Sequence, residues 1–157
     1  MAKGRNRLKI LEEGKEYDFR IGKLVKLSDN ENYFILIDPF NNKRLMFDRI
    51  FVRYGMKTGD VIKCKVDKIN CNGKIYLEPR HPYYRTGQKY EFEFIAIEEV
   101  ENSKKVKEKV LCVDDTFKSK AVILDTDPVL YENFLKGKII AKVENIKKAR
   151  LYLGILK

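Results

Sequence analysis

The feature that most constrains this chain is an internal repeat. Gly14-Lys15-Glu16-Tyr17-Asp18-Phe19 matches Gly87-Gln88-Lys89-Tyr90-Glu91-Phe92 at an offset of 73 residues. Phe34-Ile35-Leu36-Ile37-Asp38 matches Val110-Leu111-Cys112-Val113-Asp114 at an offset of 76. Arg44 to Asp48 matches Ala121 to Asp125, and Lys65 to Ile69 matches Lys142 to Ile146, both at 77. The offset grows by small steps, as loop insertions would make it grow. A period near 75 residues is too long for a solenoid unit, which runs about 20–50. It suits two small domains in tandem.

Each copy reads as five strands. In copy one, Tyr17, Phe19 and Ile21 alternate with Asp18 and Arg20, a strand period of two. Gly22 interrupts the run before Leu24-Val25-Lys26-Leu27, which points to a bulge or bend. Tyr33 to Ile37 and Arg44 to Phe47 are the second and third strands. Residues 49–58 are less regular and suit a short helix or loop. Ile62, Cys64 and Val66 alternate with Lys63, Lys65 and Asp67 in a fourth strand. Asn72-Gly73 is a hairpin signal of the two-residue type I′ kind, leading into Lys74 to Leu77. Copy two repeats the order. Its longer connection, Thr126 to Lys136, carries Leu130, Phe134 and Leu135 at helical spacing behind the start signal Asp127-Pro128. Five strands, a bend in the first and a cap between the third and fourth describe an OB barrel. The expected class is therefore all-β: two tandem five-stranded OB-fold barrels with short capping helices. The first spans residues 10–80 and the second 87–157, with a basic tail at 1–9. Residues 81–86 form a joint that is too aromatic for a free linker.

Two segments carry a resemblance. Thr58-Gly59-Asp60-Val61-Ile62-Lys63-Cys64-Lys65-Val66-Asp67-Lys68-Ile69 and Gly73-Lys74-Ile75-Tyr76-Leu77 resemble the S-one type of RNA-binding OB domain. That domain is repeated in a large protein of the bacterial small ribosomal subunit. Lys138 to Ile146 and Ala149 to Leu153 are a weaker echo. The resemblance implies RNA binding on an exposed sheet face with two Phe and one His. Aligned on that pattern, Phe34 takes the second Phe position, Met46 the His position and Glu31 the first Phe position. Copy two has Lys107, Val110 and Ile123 there. Copy one thus keeps one of the three and copy two none.

Charge points the same way. Lys and Arg number 33 against 23 Asp and Glu, a formal net charge of +10. Residues 1–85 carry 19 basic and 11 acidic side chains, net +8, which leaves net +2 for residues 86–157. Eight of the nine Arg lie in the first part. Arg forks onto phosphate and stacks on bases, so the first half reads as polyanion-facing.

The same composition argues against an enzyme. There is one His and no Trp, and the three Cys, at 64, 71 and 112, have no CxxC spacing. His81 has no second His with which to hold a metal or share a proton. The adjacent acid pairs Asp114-Asp115 and Glu98-Glu99 point to opposite faces if they lie on strands. No phosphate-binding glycine loop is present. The reading is a non-enzyme that needs no cofactor and no metal. No apolar run reaches the roughly 18 residues of a membrane span, and the odd cysteine count suits reduced thiols in a cytoplasmic protein.

Rings beside cations are the footprint of single-strand binding, since rings stack bases while cations track phosphates. In copy one the preferred residues are Phe34, Phe40, Met46 and Tyr54, with Arg20, Lys23, Lys43, Arg44, Arg49 and Arg53. The expected partner is single-stranded RNA, or DNA, read mainly by copy one. The alternative from another class is an adaptor that binds protein partners through the same fold.

Overall fold

The computed structural model describes residues 10–101 and 104–156. The basic tail, residues 1–9, lies outside the described residues. The chain divides into two compact units, one ending at Arg80 and the other beginning at His81. Among the described residues both are mostly strand, with short helical turns, and no helix is long and apolar enough to cross a membrane.

The first unit holds β1 (Glu16–Lys26), β2 (Asn32–Ile37), β3 (Lys43–Phe47), β4 (Val61–Ile69) and β5 (Ile75–Pro79). They form one sheet in the order β3-β2-β1-β4-β5. The antiparallel registers place Phe19, Ile21, Leu36, Met46, Cys64, Val66 and Leu77 on one face, all buried. Burying a side chain such as Phe19 or Leu36 stabilises the fold by about 1.5–3 kcal/mol. The bend in β1 falls at Gly22, where the β1–β2 register shifts between Ile21 and Leu24. A Cβ on Gly22 would sit 3.0 Å from the Ile35 carbonyl oxygen, so the close approach of β2 requires glycine there.

The second unit holds β6 (Lys89–Glu101), β7 (Lys107–Val113), β8 (Lys120–Ile123), β9 (Lys138–Lys147) and β10 (Arg150–Ile155). Its ladder runs in a ring, β10-β8-β7-β6-β9, because β10 pairs with β9 antiparallel and with β8 in parallel. Cut between β8 and β10, the order is that of the first unit. Phe92, Phe94, Leu111, Ala121, Ile123, Ala141, Val143, Leu151 and Leu153 fill its interior.

Four expectations need correction. First, the first unit is not a hydrogen-bonded ring: β3 and β5 remain sheet edges. The chain passes from Phe47 straight into a four-residue helix, α1 (Asp48–Phe51), and leaves no extended residue beyond β3. In the second unit, Leu124 beyond β8 still donates to Leu153 O at 2.8 Å.

Second, the β4–β5 hairpin is not a two-residue type I′ turn. Gly73 N donates to Asn70 O at 2.9 Å, and Asn70 N to Lys74 O at 2.8 Å. Only Gly73 has positive φ there (85°). This is a three-residue loop ending in a left-handed glycine. Asn72 Oδ1 accepts from Lys74 N at 3.0 Å, an Asx turn. The type I′ geometry occurs instead in the β9–β10 hairpin, where Lys148 (φ 51°) and Ala149 (φ 63°) separate the paired residues Lys147 and Arg150.

Third, the cap of the second unit is a 3-10 segment, Pro128–Leu135. Asp127 opens it by accepting from Val129 N at 3.0 Å. Leu130 and Leu135 stay exposed, and Tyr131 is the buried side chain. A 3-10 repeat of three residues per turn turns a different set of positions inward than an α-helix does. Fourth, residues 81–85 are part of the second unit. Tyr84 is buried beside Phe92, and its hydroxyl donates to Asp115 at 2.9 Å. Arg85 N donates to Tyr90 Oη at 2.8 Å.

Candidate nucleic-acid interface

The outward face of β1–β3 is set by the same registers that build the core. On it, Tyr33 stands opposite Phe47, Ile35 opposite Leu45, and Ile37 opposite Lys43. Arg20 stands opposite both Ile37 and Val61. Lys43, Ile37, Arg20 and Val61 therefore form one row across four strands. Phe47 and Tyr33 form a second row four residues away, about 13 Å along the strands. The face is aromatic at one end and cationic at the other, with Ile35 and Leu45 between.

At the aromatic end the Tyr33 and Phe47 rings stack with centroids 4.7 Å apart and planes 26° apart. Arg49 lies over the Phe47 ring at 5.3 Å. It also faces Glu31 at 3.5 Å, but both side chains are exposed and such a pair is weak. The β1–β2 turn braces this end: the Tyr33 hydroxyl donates to Asp29, whose other oxygen accepts from Glu31 N. The bond to Asp29 holds the Tyr33 hydroxyl up at a pKa of about 12 and keeps the Asp29 carboxyl below its ordinary value.

At the cationic end Arg20 and Lys43 are exposed, and neither has a carboxylate partner among the described residues. Beside Arg20 lies a recess of about 340 Å³ whose lining includes Asp18, Arg20, Ile37, Asp38, Asn41 and Val61.

The ring residues favoured from the sequence fall elsewhere. Met46 is buried, 4% exposed, and cannot present itself to a ligand. Phe34 stands opposite Met46 and shares the inward face with Leu36. Tyr54 is half-buried against Phe51, 5.4 Å between centroids, and burial pushes its hydroxyl pKa up. Phe40 packs edge-on against Tyr17 at 6.2 Å. The reason is register: one residue of slip exchanges the two faces of a strand. In β2 both alternations, Tyr33-Ile35-Ile37 and Phe34-Leu36, are apolar. Tyr33 and Phe47 belong to the six candidate rings of copy one (Tyr33, Phe34, Phe40, Phe47, Phe51 and Tyr54), among which the sequence favours Phe34, Phe40 and Tyr54.

Among the cations, Arg20, Lys43 and Arg49 meet on this face. Lys23 sits in the β1 bulge and Arg53 in the 3-10 turn Val52–Tyr54, neither at a paired position of the face. Arg44 is held elsewhere. Its Nε donates to Asp38 at 3.0 Å, and the Asp38 side chain is fully buried. Asp38 also accepts from Phe40 N and Asn42 N, so this pair shapes the β2–β3 loop.

In the second unit several cations are paired. Lys120 lies 2.8 Å from Glu98, Arg150 lies 2.8 Å from Glu108, and Lys107 faces Glu99 at 3.7 Å. Val110 and Ile123 are buried.

Comparison with known proteins adds no assignment: no family model matches the chain, and no curated protein matches it.

Proposed function

We propose that this protein binds single-stranded nucleic acid, RNA in preference to DNA, on the outward face of its first unit. The fold reading that goes with it is a pair of OB domains of the S-one type, related by duplication. The shared strand order and the helical turn between third and fourth strands support that reading. The observation that carries the function is the stacked Tyr33–Phe47 pair, with Arg49 upon it, on one face with the exposed cations Arg20 and Lys43. Bases stack on rings regardless of sequence, and cations follow the phosphates. A second reading, a protein-binding adaptor, is favoured by the exposed Leu45 and Val61 on the same face.

Fluorescence anisotropy of a labelled single-stranded RNA against the full chain separates the two. Tyr33→Ala and Phe47→Ala should each weaken binding by about 1–3 kcal/mol, the worth of a base–ring stack. They should leave the salt dependence unchanged. Arg20→Ala with Lys43→Ala should flatten its log–log slope by about 0.7 for each phosphate no longer neutralised. Binding that ignores all four substitutions would refute the site, and no binding at low salt would favour the adaptor.

A further inference from the structure

The recess beside Arg20 has a chemistry more specific than phosphate binding. Asp18 and Arg20 lie two residues apart on β1, on the same outward face, about 7 Å apart along the strand. Ile37 and Val61 flank Arg20 on the neighbouring strands, and Pro39 and Asn41 of the β2–β3 loop close one side. The loop is fixed in place by the buried Asp38 and its three hydrogen-bond donors. The recess thus sets the apolar Ile37, Pro39 and Val61 beside polar groups: the exposed carboxylate of Asp18, the buried Asp38 that holds the loop, the Asn41 amide and the Arg20 guanidinium. At about 340 Å³ it lies at the small end of ligand pockets, which run about 300–1,000 Å³.

We infer that this recess seats one base of the bound strand and selects guanine. The inference rests on the nucleic-acid reading above. Guanine offers two adjacent acceptors, O6 and N7, that suit a forked guanidinium. Its other edge offers N1–H and the N2 amino group, two adjacent donors that suit a carboxylate. Adenine presents a donor at N6 where guanine has O6, so it would set a donor against Arg20. Uracil and cytosine lack N7. Asp18 is already within 2.8 Å of Lys63 through Oδ1, but both side chains are about half exposed. Such a pair holds its partners weakly, so Lys63 can give up Oδ1 and leave both carboxylate oxygens to the two guanine donors.

The test compares three ten-nucleotide RNAs on the full chain by anisotropy: all-uridine, the same with one central guanosine, and the same with one central adenosine. The guanosine oligonucleotide should bind about tenfold tighter than the other two, within the range of one good bidentate pairing. In Asp18→Asn the preference should fall to near unity, while the all-uridine oligonucleotide still binds. Equal affinity for all three RNAs in the parent chain would overturn the inference, and so would a guanosine preference that survives Asp18→Asn. Absence of binding to any of the three would instead overturn the nucleic-acid reading beneath it.

Discussion

His81 makes the stability of the second unit depend on pH. Its side chain is buried, 2% exposed, between Tyr84 and Phe117, each 4.8 Å away between ring centroids. Its Nδ1 accepts from the backbone N–H of Tyr83 at 3.0 Å and of Tyr84 at 3.1 Å, so that nitrogen must be unprotonated. Burial pushes the imidazole from its ordinary 6.5 to about 4; the charge of Asp115 opposes the shift and that of Arg85 adds to it. The folded-state value lies below the unfolded one, so the unfolded chain takes up the proton first. The stabilisation is therefore complete above pH 6.5, is lost as pH falls toward 4, and changes no further below that. Integrated from pH 7 to pH 5, the loss is about 2 kcal/mol. Carboxylates ordinarily titrate near 4 and the chain has one His, so this window isolates one group. Urea unfolding at pH 7 and pH 5, read from resolved amide signals of β6–β10, measures the difference. His81→Asn keeps an acceptor for the two N–H groups and should abolish the pH dependence. Equal stability of the parent at both pH values, or an imidazole that titrates near 6.5 by NMR, would refute the reasoning.

Three further outcomes are expected from thermal or urea unfolding. Ala149→Gly should stabilise the second unit by about 1 kcal/mol, because a left-handed conformation costs a non-glycine residue about 1–2 kcal/mol and Ala149 has φ 63°. Gly73→Val should destabilise the first unit by at least as much, for the converse reason at φ 85°. Arg44→Ala should cost the first unit about 1.5–3 kcal/mol, the worth of a hydrogen bond to a charged group, since Arg44 is partly exposed and Asp38 keeps two backbone donors; a neutral outcome would mean the Asp38 loop does not depend on it.

The strands were largely legible, because alternation of Tyr17, Phe19 and Ile21 with charged neighbours has one physical reading. Gly22 was legible as a bend for the same reason: a gap in an otherwise regular pattern. The hairpin type was not, since Asn72 can either adopt positive φ or accept from Lys74, and the backbone takes the second course. Nor was the edge left open between β3 and β5, which depends on where the chain turns into α1. The candidate site divides the same way. Arg20, Lys43 and Arg49 were found by charge and position. Phe34 and Met46 were not distinguishable from Tyr33 and Phe47 by composition, because β2 is apolar on both faces and only its register to β1 and β3 decides between them. Arg44 looked like its exposed neighbours until Asp38 proved to be buried beside it.

On the proposed function, single-stranded RNA lies on the outward face of the first unit. An NMR titration of the isotope-labelled full chain with a short single-stranded RNA at low salt tests it residue by residue. Amide shifts should centre on Tyr33, Ile35, Ile37, Lys43, Leu45, Phe47 and Arg20, and should fade as salt is raised. Shifts centred on β7, β8 and β10, or none at all at low salt, would contradict it.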